Sequence, residues 1–416
     1  MVLAGTLMVP SAAIPPEPVI ALVHGHWWSG AGFHDRVVYV VDGAFSFRPP
    51  ARIDSTIDLR GGYVIPPFAD AHNHNVEYTN PMRTDALLAM YIREGVFYDQ
   101  NPDNLARARP GLAGRVNVPT GIDVTFANGG LTATGGHPTG LFLRNLRLGI
   151  FTEPDGDGGM LWYIDSIPDL DRKWPSILAQ RPDFIKTFLL HSEEYLKRRD
   201  DSTYFNWRGL NPQLLPEIVR RAHAARLRVM AHVETAADLH NALVAGVDEI
   251  GHIPGFRGDE DGRLKSASPY LIADSDAALA ARRRVPVITT LGSAAQYVVD
   301  GPDSVLRRQF DSLNARNLRT LKRWKVWLAV GSDAYRTTSV PEAMYLHSLG
   351  VFSNAELLEM WTTATPKAIL PSRRIGELRP GYEASLLVLA GNPRDDFTNT
   401  TRILLRIKEG HVLVPP

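Results

Sequence analysis

A chain of 416 residues exceeds one ordinary domain and suits a large barrel with a small appended domain. Its 44% hydrophobic and 22% charged residues are globular values, and 45 Lys+Arg against 45 Asp+Glu leave no basic excess for nucleic acid or an anionic membrane. With no cysteine, disulfides, thiolate nucleophiles and cysteine-ligated zinc are excluded, so any metal has to be held by histidine, carboxylate or a modified lysine.

Residues 1–17 carry no charge before Glu17, and their apolar stretch ends in Ser11-Ala12-Ala13. They read either as the remnant of a secretory signal, which implies a periplasmic or secreted protein, or as a disordered tail on a cytoplasmic one. No apolar run has the length of a membrane span. Residues 18–65 predict short β-strands, because VIALVHG, VVYVVDG and the run ending at Val64-Ile65 are β-branched segments divided by turn residues. Residues 375–416 have the same character in SLLVLAGNP and ILLRIKEGHVLV. The two ends, 18–65 and 367–416, therefore predict one small β-sandwich domain built from both termini.

Between them, residues 66–366 alternate short apolar strands with amphipathic segments. Strands are predicted at 64–68, 93–98, 121–126, 184–189, 228–233, 247–252, 285–290 and 326–331. Helices are predicted over 214–227 and 236–246, the latter with Ala236, Leu239, Leu243 and Val244 on one face. Residues 100–120 and 150–180 read as long loops. Eight strand units with intervening helices predict an α/β fold, a (β/α)8 TIM-type barrel in which loops following the strands carry the chemistry.

The stretch PPFADAHNHN (66–75) runs out of the first of these strands and ends it with His72 and His74. Residues two apart on a strand share a face, so His72 and His74 can aim two imidazoles at one point, as a metal requires. Lys186 lies inside the apolar strand DFIKTFLL, where a lysine is costly unless paired or modified. His232 in VMAHVE, His252 in DEIGHIPG and Asp333 in LAVGSDA each fall at a predicted strand end. Singly, such residues are ordinary polar strand termini, and Asp333 could cap a helix. A barrel brings all six around one mouth. No glycine loop of the phosphate-cradling type appears, which argues against a nucleotide cofactor.

In this order, the HxH after a proline-rich strand end, the strand-four lysine, two later single histidines and the terminal GSDA resemble the metal-dependent amidohydrolase superfamily over nearly the whole chain. The flank GYEASLLVLAGNP is similar to that family's return into its small β domain. The branch most resembled is that of prolidase-type dipeptidases and imidazolonepropionase-like proteins, which carry a Gly-Gly-His in the strand-three loop, here TATGGHPTG with His137. The resemblance implies two divalent metal ions, zinc first, with manganese, cobalt, nickel or iron as alternatives. His72, His74 and Asp333 would bind one, His232 and His252 the other, and Lys186, carboxylated by carbon dioxide, would bridge them. It further implies a metal-activated hydroxide, with Asp333 as proton shuttle and His137 as oxyanion donor.

The expected reaction is cleavage of an amide C–N bond in a small peptide-like or N-acyl amino-acid substrate. The alternative is a lactonase, carboxylesterase or phosphotriesterase using the same binuclear site. A catalytically dead structural protein is a third class, disfavoured because all six candidate ligands are present. Tyr78, His191, Tyr335 and Arg336, together with His137, are expected to line the substrate pocket, an arginine there gripping a carboxylate. The expected partner is a small molecule, not nucleic acid or membrane, with a homo-oligomer left open.

Overall fold

The computed structural model describes residues 17–77, 80–292 and 304–414; the leader reading and Tyr78 lie outside the described residues. Four strands open the chain: β1 (Ile20–Trp28), β2 (Phe33–Val41), β3 (Ala44–Ser46) and β4 (Ser55–Ile65). Ten short strands follow: β5 (Phe68–Asp70), β6 (Val96–Asn101), β7 (Asp123–Phe126), β8 (Gly130–Thr132), β9 (Leu161–Tyr163), β10 (Phe184–Phe188), β11 (Arg228–His232), β12 (Glu249–Gly251), β13 (Val287–Ile288) and β14 (Leu328–Ala329). The chain closes with β15 (Leu386–Leu389), β16 (Ile403–Lys408) and β17 (His411–Val412).

The first and last groups form one seven-stranded sheet in the order β17-β16-β15-β4-β1-β2-β3. Val64 and Ile65 belong to it, Ile65 pairing with Leu387, rather than opening the first strand of the middle region as expected. Pro66 and Pro67 explain the break: neither can donate to a ladder, so pairing stops and restarts at Phe68. The sheet encloses its own apolar cluster, which includes Leu22, Trp27, Val38, Phe45, Leu386 and Ile407.

The middle strands form two parallel sheets, β5-β6-β7 and β14-β13-β12-β11-β10-β8-β9. Parallel neighbours need crossover connections, supplied here largely by helices. Backbone bonds join the two sheets: Ala71 N–H donates to the Val330 carbonyl at 2.9 Å, and Asp183 N–H, just before β10, to that of Phe126 at 2.8 Å. The result is a barrel-like α/β body. Its strands are buried on both faces, all five residues of β10 included, as expected of parallel strands under helices.

Helices Leu215–Ala224 and Ala236–Ala245 form where the periodicity predicts them. In the second, Leu239, Ala242 and Leu243 are buried, but Val244 is exposed; it sits about 100° round the helix from Leu243. The 150–180 stretch is not all loop. Residues Ile167–Ala179 are helical, started by Ser166, whose side chain accepts the Asp169 N–H, and they bury Leu170 and Ile177. Strand β6 begins three residues later than predicted, because Gly95, at φ +75°, caps the helix Pro81–Glu94 first. Among the described residues no helix is long and apolar enough to cross a membrane.

Candidate active site

The carboxyl ends of the parallel strands surround a cavity of about 370 Å³ lined by His72, His74, His137, His232, His252 and Asp333 among others. His72 and His74 do not stand on a strand, since β5 ends at Asp70. Their segment is held instead by neighbours: Asn73 N–H bonds to the Gln100 carbonyl at 3.0 Å and His74 N–H to that of Ala334 at 3.2 Å. In return the His72 carbonyl accepts the Ser332 and Asp333 N–H groups at 3.1 and 2.7 Å.

Asp70 locks this junction. Its buried carboxylate accepts from Ser332 N at 2.9 Å, Ser332 Oγ at 2.6 Å and Asn73 Nδ2 at 3.1 Å. Burial raises its pKa to about 7 against those bonds. The first and last strands of the barrel-like body are thereby fixed together, and Asp333 is delivered to the two histidines. Its Oδ1 lies 3.0 Å from His74 Nε2 and 3.6 Å from His72 Nε2.

Those separations suit donors sharing one cation: ligand atoms about 2.0–2.1 Å from a tetrahedral zinc stand roughly 3.3 Å apart. His252 and His232 continue the row, with ring centroids 4.5 Å from His72 to His252 and 4.4 Å from His252 to His232. Each is oriented through one nitrogen. His252 Nδ1 meets Thr290 Oγ1 at 2.7 Å, and His232 Nε2 meets Glu234 Oε1 at 3.2 Å, as ligand histidines are commonly held from behind. Burial, then neighbouring positive charge, holds His72, His232 and His252 well below the usual histidine range, so their rings stay neutral with a lone pair to give. His252, Thr290 and Asp333 all have left-handed backbone, at φ +81°, +62° and +49°. For a β-branched threonine that is strained, and such strain gathers at functional sites.

Lys186 projects from β10 into this group, 1% exposed, and its nearest acceptor is Met230 Sδ at 3.5 Å. Burial lowers its pKa to about 8, opposed by Asp333, Asp103 and Glu249. A cationic ammonium has no adequate partner here, whereas a neutral amine is open to carboxylation. The donor set thus fits divalent metal ions.

His137 reaches the same cavity from the loop after β8, where its N–H donates to the Arg208 carbonyl at 2.8 Å. Its ring lies 5.0 Å from that of His232, and its buried Nδ1 has no partner among the described residues. Tyr335 also lines the cavity, stacked on His74 at 5.2 Å. Two expected pocket residues are elsewhere. His191 is buried outside the cavity wall, its N–H held by Asp238 and its ring facing Glu193; burial opposes its charge, but Glu193, Asp238 and Glu234 together outweigh that and keep its pKa raised. Arg336 lines an adjoining cavity rather than this one.

Residues the sequence did not single out include Asp103, Arg144, Asn206 and Arg257, which line the cavity. Arg257 follows His252 by five positions and donates from Nε to Glu234 Oε1 at 2.8 Å, steadying the carboxylate behind His232. Its place in the loop after a histidine-bearing strand end was the available signal.

Residues 208–413 match the family model described as the amidohydrolase family. The matched stretch, just under half of the chain, is similar to that family. It contributes His232, His252, Arg257 and Asp333 to the site, while His72, His74, His137 and Lys186 come from the preceding half. Among solved structures, an ochratoxinase of A. niger is 18% identical with a TM-score of 0.72, covering 95% of this chain and 96% of its own. A Xaa-Pro dipeptidase with bound methionine in its active site is 16% identical with a TM-score of 0.72, covering 95% and 99%. A prolidase complexed with N-methylphosphonate-L-proline is 18% identical with a TM-score of 0.69, covering 96% and 100%. At such identities the likeness is one of fold. No curated protein matches the chain. The amidohydrolase match over residues 208–413 agrees with the superfamily that the motifs resemble, and prolidases are among the solved structures of like fold.

Proposed function

We propose that the protein is a metal-dependent hydrolase that cleaves an amide C–N bond of a small peptide-like or N-acyl amino-acid substrate. The supporting observation is the convergence of His72, His74, His232, His252 and Asp333 on one cavity, with the buried Lys186 beside them, bonded among the described residues only to Met230 Sδ. In this reading the two parallel sheets are one (β/α)8 barrel, closed at the Ala71–Val330 and Asp183–Phe126 bonds. The terminal sheet curls round its own apolar cluster as a small β-sandwich.

His72, His74 and Asp333 would hold one ion and His232 and His252 a second. Lys186 would lie between them once its neutral Nζ attacks carbon dioxide, forming an N–C bond and releasing a proton. Divalent ions, zinc first, supply Lewis-acid polarisation of the scissile carbonyl and a lowered water pKa. Asp333 takes the proton of the attacking water and hands it to the leaving nitrogen. His137 donates a ring N–H to the oxyanion that develops at the carbonyl oxygen. Phe188 and Phe256 wall the cavity beside the histidines and exclude water from the reacting bond.

The test is amino-acid release from a panel of dipeptides and N-acyl amino acids by zinc-supplied protein, followed by mass spectrometry. Wild type releases amino acids, and Asp333→Asn lowers kcat by roughly a hundredfold or more with the circular dichroism spectrum retained. Turnover of lactones, carboxylic esters or phosphotriesters with no amide cleaved overturns the proposal.

A further inference from the structure

The cavity at the histidines opens into a second one of about 330 Å³, and the two share His74, Asp103, Leu141, Arg144 and Tyr335. Where the first is walled by histidines, the second is walled by apolar side chains, among them Leu87, Leu148, Ile150, Phe151 and Met160. Phe151 and Met160 belong to a small apolar cluster separate from the main core, so this wall is a structure in its own right. At its rim Leu148 and Ile150 are 62% and 47% exposed, apolar surface that a ligand would cover with gain.

The cations of this second cavity are Arg83, Arg144 and Arg336. Arg83 Nη2 already donates to the Tyr335 carbonyl at 3.1 Å. Arg144, on the helix Thr139–Arg147, stands where the two cavities join, and no group among the described residues pairs with its guanidinium. Two acids face the same space. Glu77 Oε1 is engaged by the Leu105 N–H at 2.8 Å, and burial drives Asp103 toward its neutral form. A guanidinium at the junction, with an apolar recess beyond it, matches an α-carbon bearing both a carboxylate and a bulky side chain.

We propose that the second cavity receives a bulky apolar side chain on the amino-acid half of the substrate, while Arg144 grips that residue's α-carboxylate at the junction. The inference rests on the amide-hydrolase reading above and narrows it to substrates that release residues such as phenylalanine or leucine. Arg144 is a specificity residue in this account and takes no part in bond breaking.

The experiment uses zinc-supplied full-length protein with N-acetyl-phenylalanine, N-acetyl-glycine and N-acetyl-phenylalaninamide, and calorimetric binding of free phenylalanine. Arg144→Ala and Ile150→Asn are compared with wild type; both side chains are exposed, so the fold is spared. Wild type is expected to favour phenylalanine over glycine by about tenfold or more in kcat/KM. Arg144→Ala should cost roughly tenfold to a hundredfold on the carboxylates, mainly through KM, and far less on the carboxamide. Ile150→Asn should narrow the phenylalanine-to-glycine ratio. A wild type that hydrolyses these amides but favours glycine, or an Arg144→Ala loss equal on carboxylate and carboxamide, overturns the inference. No hydrolysis alongside Arg144-dependent binding of phenylalanine overturns the reaction and keeps the pocket. Neither hydrolysis nor binding overturns both.

Discussion

Glu342 shows how burial alone can make a side chain sensitive to pH. It is 1% exposed, accepts the Gly292 N–H, and burial raises its pKa to about 7 from 4.5. Between those values the folded state keeps a proton that the unfolded state has lost, so stability falls as pH rises through the window. The whole effect amounts to about 3 kcal/mol. Urea midpoints of Glu342→Gln should therefore change less than wild type between pH 5 and pH 8. Parallel pH curves for the two proteins would refute the assignment. At this scale the sequence was most informative where the chemistry demands rare residue types in a fixed order. His72, His74, Lys186, His232, His252 and Asp333 could all be named because a lysine in an apolar strand and histidines at strand ends are unusual. Asp103 and Arg144 could not, since an acid in a turn and an arginine on a helix look the same whether they face solvent or a cavity. His191 and Arg336 were named by proximity to motifs, and proximity along the chain did not carry them into the histidine cavity.

Elements around the site are tied together by single polar residues at their ends. Asp238 pairs with Thr235 in a capping box at the start of the helix Ala236–Ala245. Its carboxylate also accepts from His191 N at 3.0 Å, Ser192 N at 2.8 Å and Glu234 N at 3.1 Å. One fully buried acid thus joins the loop after β10 to the end of β11. Asp238→Ala leaves several buried N–H groups unpaired and should cost about 3 kcal/mol or more in urea denaturation. Amide exchange should rise around residues 189–194, and unchanged exchange there would contradict the tie. Strand positions were legible from β-branched runs, though their ends drifted where a helix cap intervened, as at Gly95. The helix Ile167–Ala179 lies in the stretch 150–180 that read as loop, and Pro168 stands in its first turn. In the first turn a proline is harmless, because the amide there has no intrahelical partner.

At the scale of the whole molecule, the terminal sheet is joined to the barrel-like body by a buried ion cluster. Lys408 on β16, wholly buried, bonds to Asp123 on β7 at 3.1 Å and to the Val118 carbonyl at 2.9 Å. Arg373 bonds to Asp123 at 2.7 Å and also to Glu383. Removing one partner of a buried pair strands the other, so Lys408→Ala should destabilise by about 3–5 kcal/mol and loosen β16 and β17 first in hydrogen exchange. Loss confined to the barrel-like strands would contradict that. The strand character of both chain ends was readable from composition. That β4 runs through Ile65 and stops at two prolines before β5 was not, because an apolar run carries no mark of which sheet it joins.

The claim on which the rest depends is that these side chains hold two metal ions through a modified Lys186. Elemental mass spectrometry on protein purified without added metal or chelator measures it directly. The account predicts close to two divalent ions per chain in wild type and a marked loss of metal in Lys186→Ala with the fold retained. One ion or none in wild type, or two in both proteins, would contradict it.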